Sequence, residues 1–134
     1  MNFVLDENLP PAFARALEVL AQPDGHVVEH VRSFVASGTG DVEWIKILGA
    51  QNVQWNVISG DRRMLTRKHE LQALRDHKLT TFVLGHGWSN ATLWDKAWLL
   101  VRWWPMFVEL ASAHPPGSIF AVPYRQMPKA IKPQ

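Results

Sequence analysis

The sequence predicts an α/β protein built on a largely parallel five-stranded sheet covered on both faces. Two observations carry that expectation. Five runs of strand length are rich in β-branched and aromatic residues, and stretches of helical period separate them. Strands that alternate with helices need crossover connections, which lay helices over a parallel sheet.

The elements follow in order. Asn2–Leu5 (NFVL) is the first strand. In Pro11–Ala21 (PAFARALEVLA), Phe13, Ala16, Leu17 and Leu20 fall at i, i+3, i+4 and i+7, a helix with one buried face. His26–Val31 (HVVEHV) is the second strand. Asp41–Gln51 (DVEWIKILGAQ) repeats the helical pattern at Trp44, Ile45, Ile47 and Leu48. Trp55–Ser59 (WNVIS) is the third strand, and Met64–Lys78 a looser helix on Leu65, His69, Leu71 and Leu74. Thr80–Gly85 (TTFVLG) is the fourth strand. A helix over about Ala91–Ala111 is apolar all round, with Trp94, Trp98, Trp103 and Trp104, and Pro105 is expected to kink or break it. Ser118–Tyr124 (SIFAVPY) closes the sheet. Residues 1–124 are expected to form one domain, and the basic, proline-containing tail Arg125–Gln134 to be mobile.

The chain has 134 residues, 47% of them hydrophobic, enough for one ordinary core. No cysteine is present, which excludes disulfides, thiolate metal sites and thiol chemistry. The start, MNFVLDEN, lacks a basic n-region and a long apolar stretch, so no secretory signal is expected. The longest apolar tract, Leu93–Leu110, is interrupted by Asp95, Lys96, Arg102, Pro105 and Glu109, and no membrane span is expected. A soluble, cytoplasmic protein is the expectation. Net charge is only +2, yet Arg62, Arg63, Arg67, Lys68, His69, Arg75, His77 and Lys78 crowd one segment.

Sheets of this class bind ligands outside the carboxyl ends of their strands, near a change in strand order. Asp6 follows the first strand, Asp61 follows the third, and Asp41 opens the helix after the second. Asp41 and Asp61 also suit helix capping, worth about 1 kcal/mol each, while Asn8 is placed to cap the first helix. Gathered together, though, three carboxylates are costly. Two unit charges about 5 Å apart repel by roughly 3 kcal/mol at an effective dielectric near 20, so three pairs cost on the order of 10 kcal/mol. A divalent cation removes that penalty, and all-oxygen ligands suit Mg²⁺ or Mn²⁺. Phosphodiester hydrolysis is the natural chemistry of such a site.

The blocks FVLDENLP, GTGDVEWIKILGAQN and VISGDRRM resemble the PIN-like nuclease domains, in particular the toxin-like branch that begins with a D-E-N-x-P stretch. The resemblance covers residues 2 to about 90. It implies a three-layer α/β/α sandwich, a Mg²⁺- or Mn²⁺-dependent ribonuclease activity on RNA, and a partner antitoxin. By position, Asp6, Asp41 and Asp61 match the family's catalytic metal ligands. Glu43 stands near Asp41 as a substitute, and Ser59 stands where a small hydroxyl residue is common. Glu7 and Asn8 are held as supporting residues, although strand alternation sends Glu7 to the face opposite Asp6. Arg62, Arg63, Arg67 and Lys68 are the expected contacts to RNA phosphates. One departure stands out: Arg63 occupies a position where relatives often carry a further acid. An inactive PIN-like binding module is therefore the alternative.

Other motifs carry less. His26 and His30 have the i, i+4 spacing of a metal pair on a helix, but they fall on a strand. The segment GHGWSN (Gly85–Asn90) opens on the same edge as the acids, with Ser89 or Asn90 expected to cap the next helix. No glycine-rich nucleotide loop or Gly-x-Ser-x-Gly elbow occurs. A phosphoacceptor receiver also has acids after its first and third strands, but it needs a lysine after the last strand, where Arg125 stands. The tryptophans left over from the core would serve a second copy of the chain, in a homodimer, or an antitoxin segment, with stacking on RNA bases as a third use.

Overall fold

The computed structural model describes all 134 residues. Five strands, β1 (Asn2–Leu5), β2 (Val27–His30), β3 (Trp55–Ser59), β4 (Thr80–Leu84) and β5 (Ile119–Val122), form one sheet in the order β2-β1-β3-β4-β5. Every pairing is parallel. Four helices join them: α1 (Pro11–Ala21), α2 (Asp41–Gly49), α3 (Lys68–Asp76) and α4 (Leu93–Ala113). The α/β expectation holds, as a fully parallel sheet.

The period of two along each strand builds two separate cores. Phe3 and Leu5 point to one face, where they meet Phe13 and Leu17 of α1 and Trp103 and Phe107 of α4. Val4 points to the other, among Trp44, Ile45 and Leu48 of α2 and Leu74 of α3. Ile58, Phe82 and Phe120 join the first layer, and Val57, Val83 and Ile119 the second. The result is three layers, helices over sheet over helices, with α1 and α4 opposite α2 and α3.

Several local expectations change. In α1 the buried positions are Phe13, Ala14, Leu17 and Ala21, a stripe turned away from Leu20, which is 60% exposed. The third helix starts later than its apolar pattern suggests. Arg62–Thr66 is a 3-10 turn, Arg67 is extended (φ −92°, ψ 96°), and α3 begins at Lys68 with His69 exposed. Pro105 does not break α4, which runs unbroken through it. The helix is anchored on both sides of the ring by Leu99, Leu100, Trp103, Phe107 and Leu110, and their burial outweighs the lost hydrogen bond. Thr92 caps α4, accepting from the Asp95 N–H at 3.2 Å. Ser89 and Asn90 are instead spent in a 3-10 turn, Trp88–Asn90, before the helix begins.

The tail forms no regular element but touches the body of the fold. Trp103 Nε1 donates to the Arg125 carbonyl at 2.9 Å, Ile131 packs against the α1/α4 core, and the Gln134 N–H donates to the Ile119 carbonyl at the β5 edge. No helix is long and apolar enough to cross a membrane.

Candidate active site

The strand order reverses at β1. From β1 the chain crosses to β2 on one side, and after β2 it returns past β1 to β3 on the other. Leu5 is in register with both His30 and Ile58, so the loops after β1 and β3 leave the sheet side by side. That is the crevice where this topology takes its ligands. Asp6 and Asp61 both stand on it.

Asp6 is 2% exposed and thoroughly bonded. Its carboxylate accepts from the Ser59 hydroxyl, the Gly60 N–H at 3.2 Å and the Asn8 N–H at 3.1 Å. Burial nevertheless pushes its pKa up to about 6, with a smaller upward push from the Asp41 charge, and the three hydrogen bonds only partly offset this. The abrupt polar end of the NFVL strand thus serves to seat one carboxylate, in a loop that Gly60 lets approach closely. A Cβ on Gly60 would lie 3.2 Å from the Asn8 Cβ and 3.2 Å from Leu9 Cδ2.

Ser59 ties the second acid to the first, since its Oγ also accepts the Asp61 N–H at 3.1 Å. Asp61 caps the following 3-10 turn through the Arg63 N–H at 3.1 Å, so its capping role is real. Two guanidinium groups hold it as well, Arg63 Nε at 3.0 Å and Arg67 Nη1 at 3.2 Å. Burial alone would raise the Asp61 pKa, but the bonds and charges of Arg63 and Arg67 win and hold it below the ordinary carboxylate value.

Asp41 does not cap α2. Gly40 is the N-cap and Asp41 the first helical residue. Its Oδ1 accepts from Trp44 Nε1 at 2.8 Å, and its Oδ2 lies 3.5 Å from Arg67 Nη1. The same nitrogen lies 3.3 Å from Oε1 of Glu70. Glu70, on the first turn of α3, is the residue that sequence reasoning missed. Its Oε2 is buried without a partner, and burial together with the Asp41 charge raises its pKa above the usual range against the pull of Arg67. The structure thus brings Asp41, Asp61 and Glu70 onto one guanidinium nitrogen and sets Asp6 one hydroxyl away.

The supporting residues separate. Glu7 accepts from the Gly38 N–H with both oxygens at 3.2 Å and lies 3.7 Å from Arg32, so it braces the loop before α2. Asn8 contributes its N–H to Asp6 and does not cap α1, whose N-cap is Pro10. Glu43 is exposed and takes no part in the ion pairs of Arg67. Of the basic residues, Arg62 and Lys68 are exposed, with Arg62 bonded to His86 Nδ1 in the loop after β4. Arg63 is exposed too but is bonded to Asp61, and the half-buried Arg67 faces the acids. His30 is occupied by the Leu9 carbonyl at 2.8 Å and the Arg32 N–H at 3.1 Å, and His26 lies 2.9 Å from the chain's amino terminus, so the two form no pair.

As the side chains stand, no three Asp, Glu or His groups lie close enough together to hold a metal ion. The donor chemistry nonetheless fits a hard divalent cation. Asp6, Asp41, Asp61 and Glu70 offer only oxygens, Glu70 Oε2 has no partner, and a resident guanidinium marks a place where positive charge is already required.

A family model described as a PIN like domain matches residues 1–86, which span β1 to the loop after β4 and include all four of these acids. No curated protein matches the chain, and no solved structure does.

Proposed function

The chain belongs to the PIN-like domain family, and from that premise we propose that it is a Mg²⁺- or Mn²⁺-dependent endoribonuclease, the toxin of a toxin–antitoxin pair. The observation that carries this is the gathering of acids from four separate places in the chain at the switch point of the sheet, beside an exposed basic turn. Asp6, Asp41 and Asp61 would hold the ion, with Glu70 as a fourth carboxylate within reach of Asp41 and Asp61. When bound, the ion supplies an activated water and screens the charge of the phosphoryl group under attack. The chain's own residues do the rest. Ser59, Gly60 and Asn8 fix the direction of the Asp6 carboxylate, Arg63 keeps Asp61 ionised, and Arg62 and Lys68 receive the RNA backbone as phosphate contacts that carry no sequence information.

The toxin assignment rests on the D-E-N-x-P start and on the exposed apolar face of α4, where Leu93, Trp94 and Trp98 are all more than half exposed. An antitoxin segment on that face would gain aromatic anchors of the kind that dominate binding energy. Purified protein with Mn²⁺ should cleave RNA, and Asp6→Asn should not; equal cleavage by both removes the proposal. Expression of the active protein without its antitoxin should halt growth, and expression of Asp6→Asn should not.

A second reading has its own observation. Arg63 and Arg67 already neutralise the acids, as they would in a PIN-like module that binds partners and cuts nothing. Calorimetric titration separates the two. A saturable Mn²⁺ signal that Asp61→Ala abolishes contradicts the inert module, and no heat from the native protein favours it.

A further inference from the structure

The Arg67 clamp is badly proportioned for a permanent structural ion pair. Nη1 of a guanidinium carries two hydrogens, yet three carboxylates from three elements approach it, at 3.2 Å (Asp61), 3.3 Å (Glu70) and 3.5 Å (Asp41). Only the first two contacts are hydrogen bonds. Glu70 Oε2 keeps no partner at all despite its burial. Arg63 engages Asp61 alone, so two positive charges serve three carboxylates and Asp41 and Glu70 share Arg67 as their one cation.

The backbone shows how Arg67 comes to be there. It ends the 3-10 turn and precedes α3 in an extended conformation, so its side chain leaves the chain between two helical segments rather than along a helix face. The side chain is 37% exposed, against 25% for Asp41, 14% for Glu70 and 7% for Asp61, so the cation is nearer to water than any of the three acids it holds. A flexible, part-solvated cation can leave without disturbing a strand or a core residue.

On the nuclease reading above, we propose that Arg67 is an exchangeable counter-cation, which holds Asp41, Asp61 and Glu70 together in the ion-free protein and yields its place to the divalent ion. A doubly charged ion of oxygen preference compensates three carboxylates better than one shared guanidinium does. The released side chain then stands at the rim between Lys68 and the acids, where an RNA phosphate would be its next partner. Arg67 is therefore a positioning residue that competes with the ion, and binding of the ion is what frees it for substrate.

The test compares Mn²⁺ affinity by calorimetry in the native protein, Arg67→Met and Arg67→Lys. Removing a competitor strengthens ion binding, so Arg67→Met should bind Mn²⁺ at least tenfold more tightly and melt at a lower temperature than native protein in EDTA. Arg67→Lys should fall between them. Equal or weaker affinity in Arg67→Met overturns the exchange while leaving the metal-dependent nuclease intact. Loss of Mn²⁺ binding in all three proteins overturns both. Should Arg67→Met fail to fold, the native protein decides the matter through ¹⁵N NMR of arginine side chains during Mg²⁺ titration. The Arg67 Nε–H signal should shift and exchange faster with water as the ion saturates, and an unchanged signal at saturation overturns the proposal.

Discussion

Asp6→Asn should make the ion-free protein more stable at pH 8 while abolishing its activity. The native Asp6 carboxyl is pushed from 3.8 up to about 6, chiefly by burial, so the folded state holds its proton more tightly than the unfolded chain does. Stability must then fall as pH rises from about 4 to 6 and level off above that, because the folded state binds more protons in this window. A shift of about two units corresponds to roughly 3 kcal/mol, of which about 2.5 kcal/mol develops between pH 4 and pH 8. Asparagine at this place carries no charge to desolvate. Its Oδ1 can accept from Gly60 and Asn8, and its Nδ2 can donate to Ser59 Oγ. The assay is urea denaturation of both proteins in EDTA at several pH values. The difference in unfolding free energy should move by about 2.5 kcal/mol in favour of Asp6→Asn from pH 4 to pH 8. Asp61, held below the ordinary value, contributes with the opposite sign, losing stability as pH falls through its folded pKa. That contribution is common to both proteins and drops out of the difference. Parallel pH profiles would refute the claim that Asp6 is held as a desolvated carboxylate.

Three further outcomes follow from the same geometry. Gly60→Ala forces a Cβ to 3.2 Å from Asn8 Cβ and 3.3 Å from the Asn8 carbonyl; it should cost about 1–3 kcal/mol and, by moving the Asp6 loop, lower RNA cleavage roughly tenfold, read from denaturation and single-turnover cleavage. Phe82→Ala empties a fully buried place stacked on Phe120 and tilted against Phe107; a loss of about 3–5 kcal/mol is expected in the same denaturation assay. The pair Trp94→Ser and Trp98→Ser removes rings that are 80% and 53% exposed; stability should change by less than about 1 kcal/mol and RNA cleavage should stay unchanged, while binding of an antitoxin, measured by calorimetry, should be lost.

The fold was legible because most strands read as near-continuous apolar runs bounded by polar residues, as Phe3, Val4 and Leu5 illustrate by filling both cores. Proximity of Asp6 to Asp61 was legible for a topological reason, since loops after adjacent parallel strands leave the same edge. Glu70 was not. Reading one helix from Met64 onward sets its apolar face on Leu65, His69, Leu71 and Leu74, whereas the extended backbone at Arg67 separates the 3-10 turn from α3 and leaves His69 exposed. Leu74 reaches the core as expected, and Glu70 turns to the acids. Nothing in local composition marks such a break, and the partners that Arg67 meets there include Asp41, 26 residues earlier in the chain. The cap of α4 was misplaced for a similar reason: Ser89 and Asn90 are good caps by type, but the 3-10 turn uses them first and leaves Thr92 for the helix.

Crystals grown with Mn²⁺ and measured at the manganese edge test the central claim most directly. The account predicts an anomalous peak bounded by the carboxylates of Asp6, Asp41 and Asp61, with the Arg67 guanidinium withdrawn from all of them. No peak at that edge of the sheet at saturating Mn²⁺, with Arg67 still clamped between Asp41 and Asp61, would contradict it.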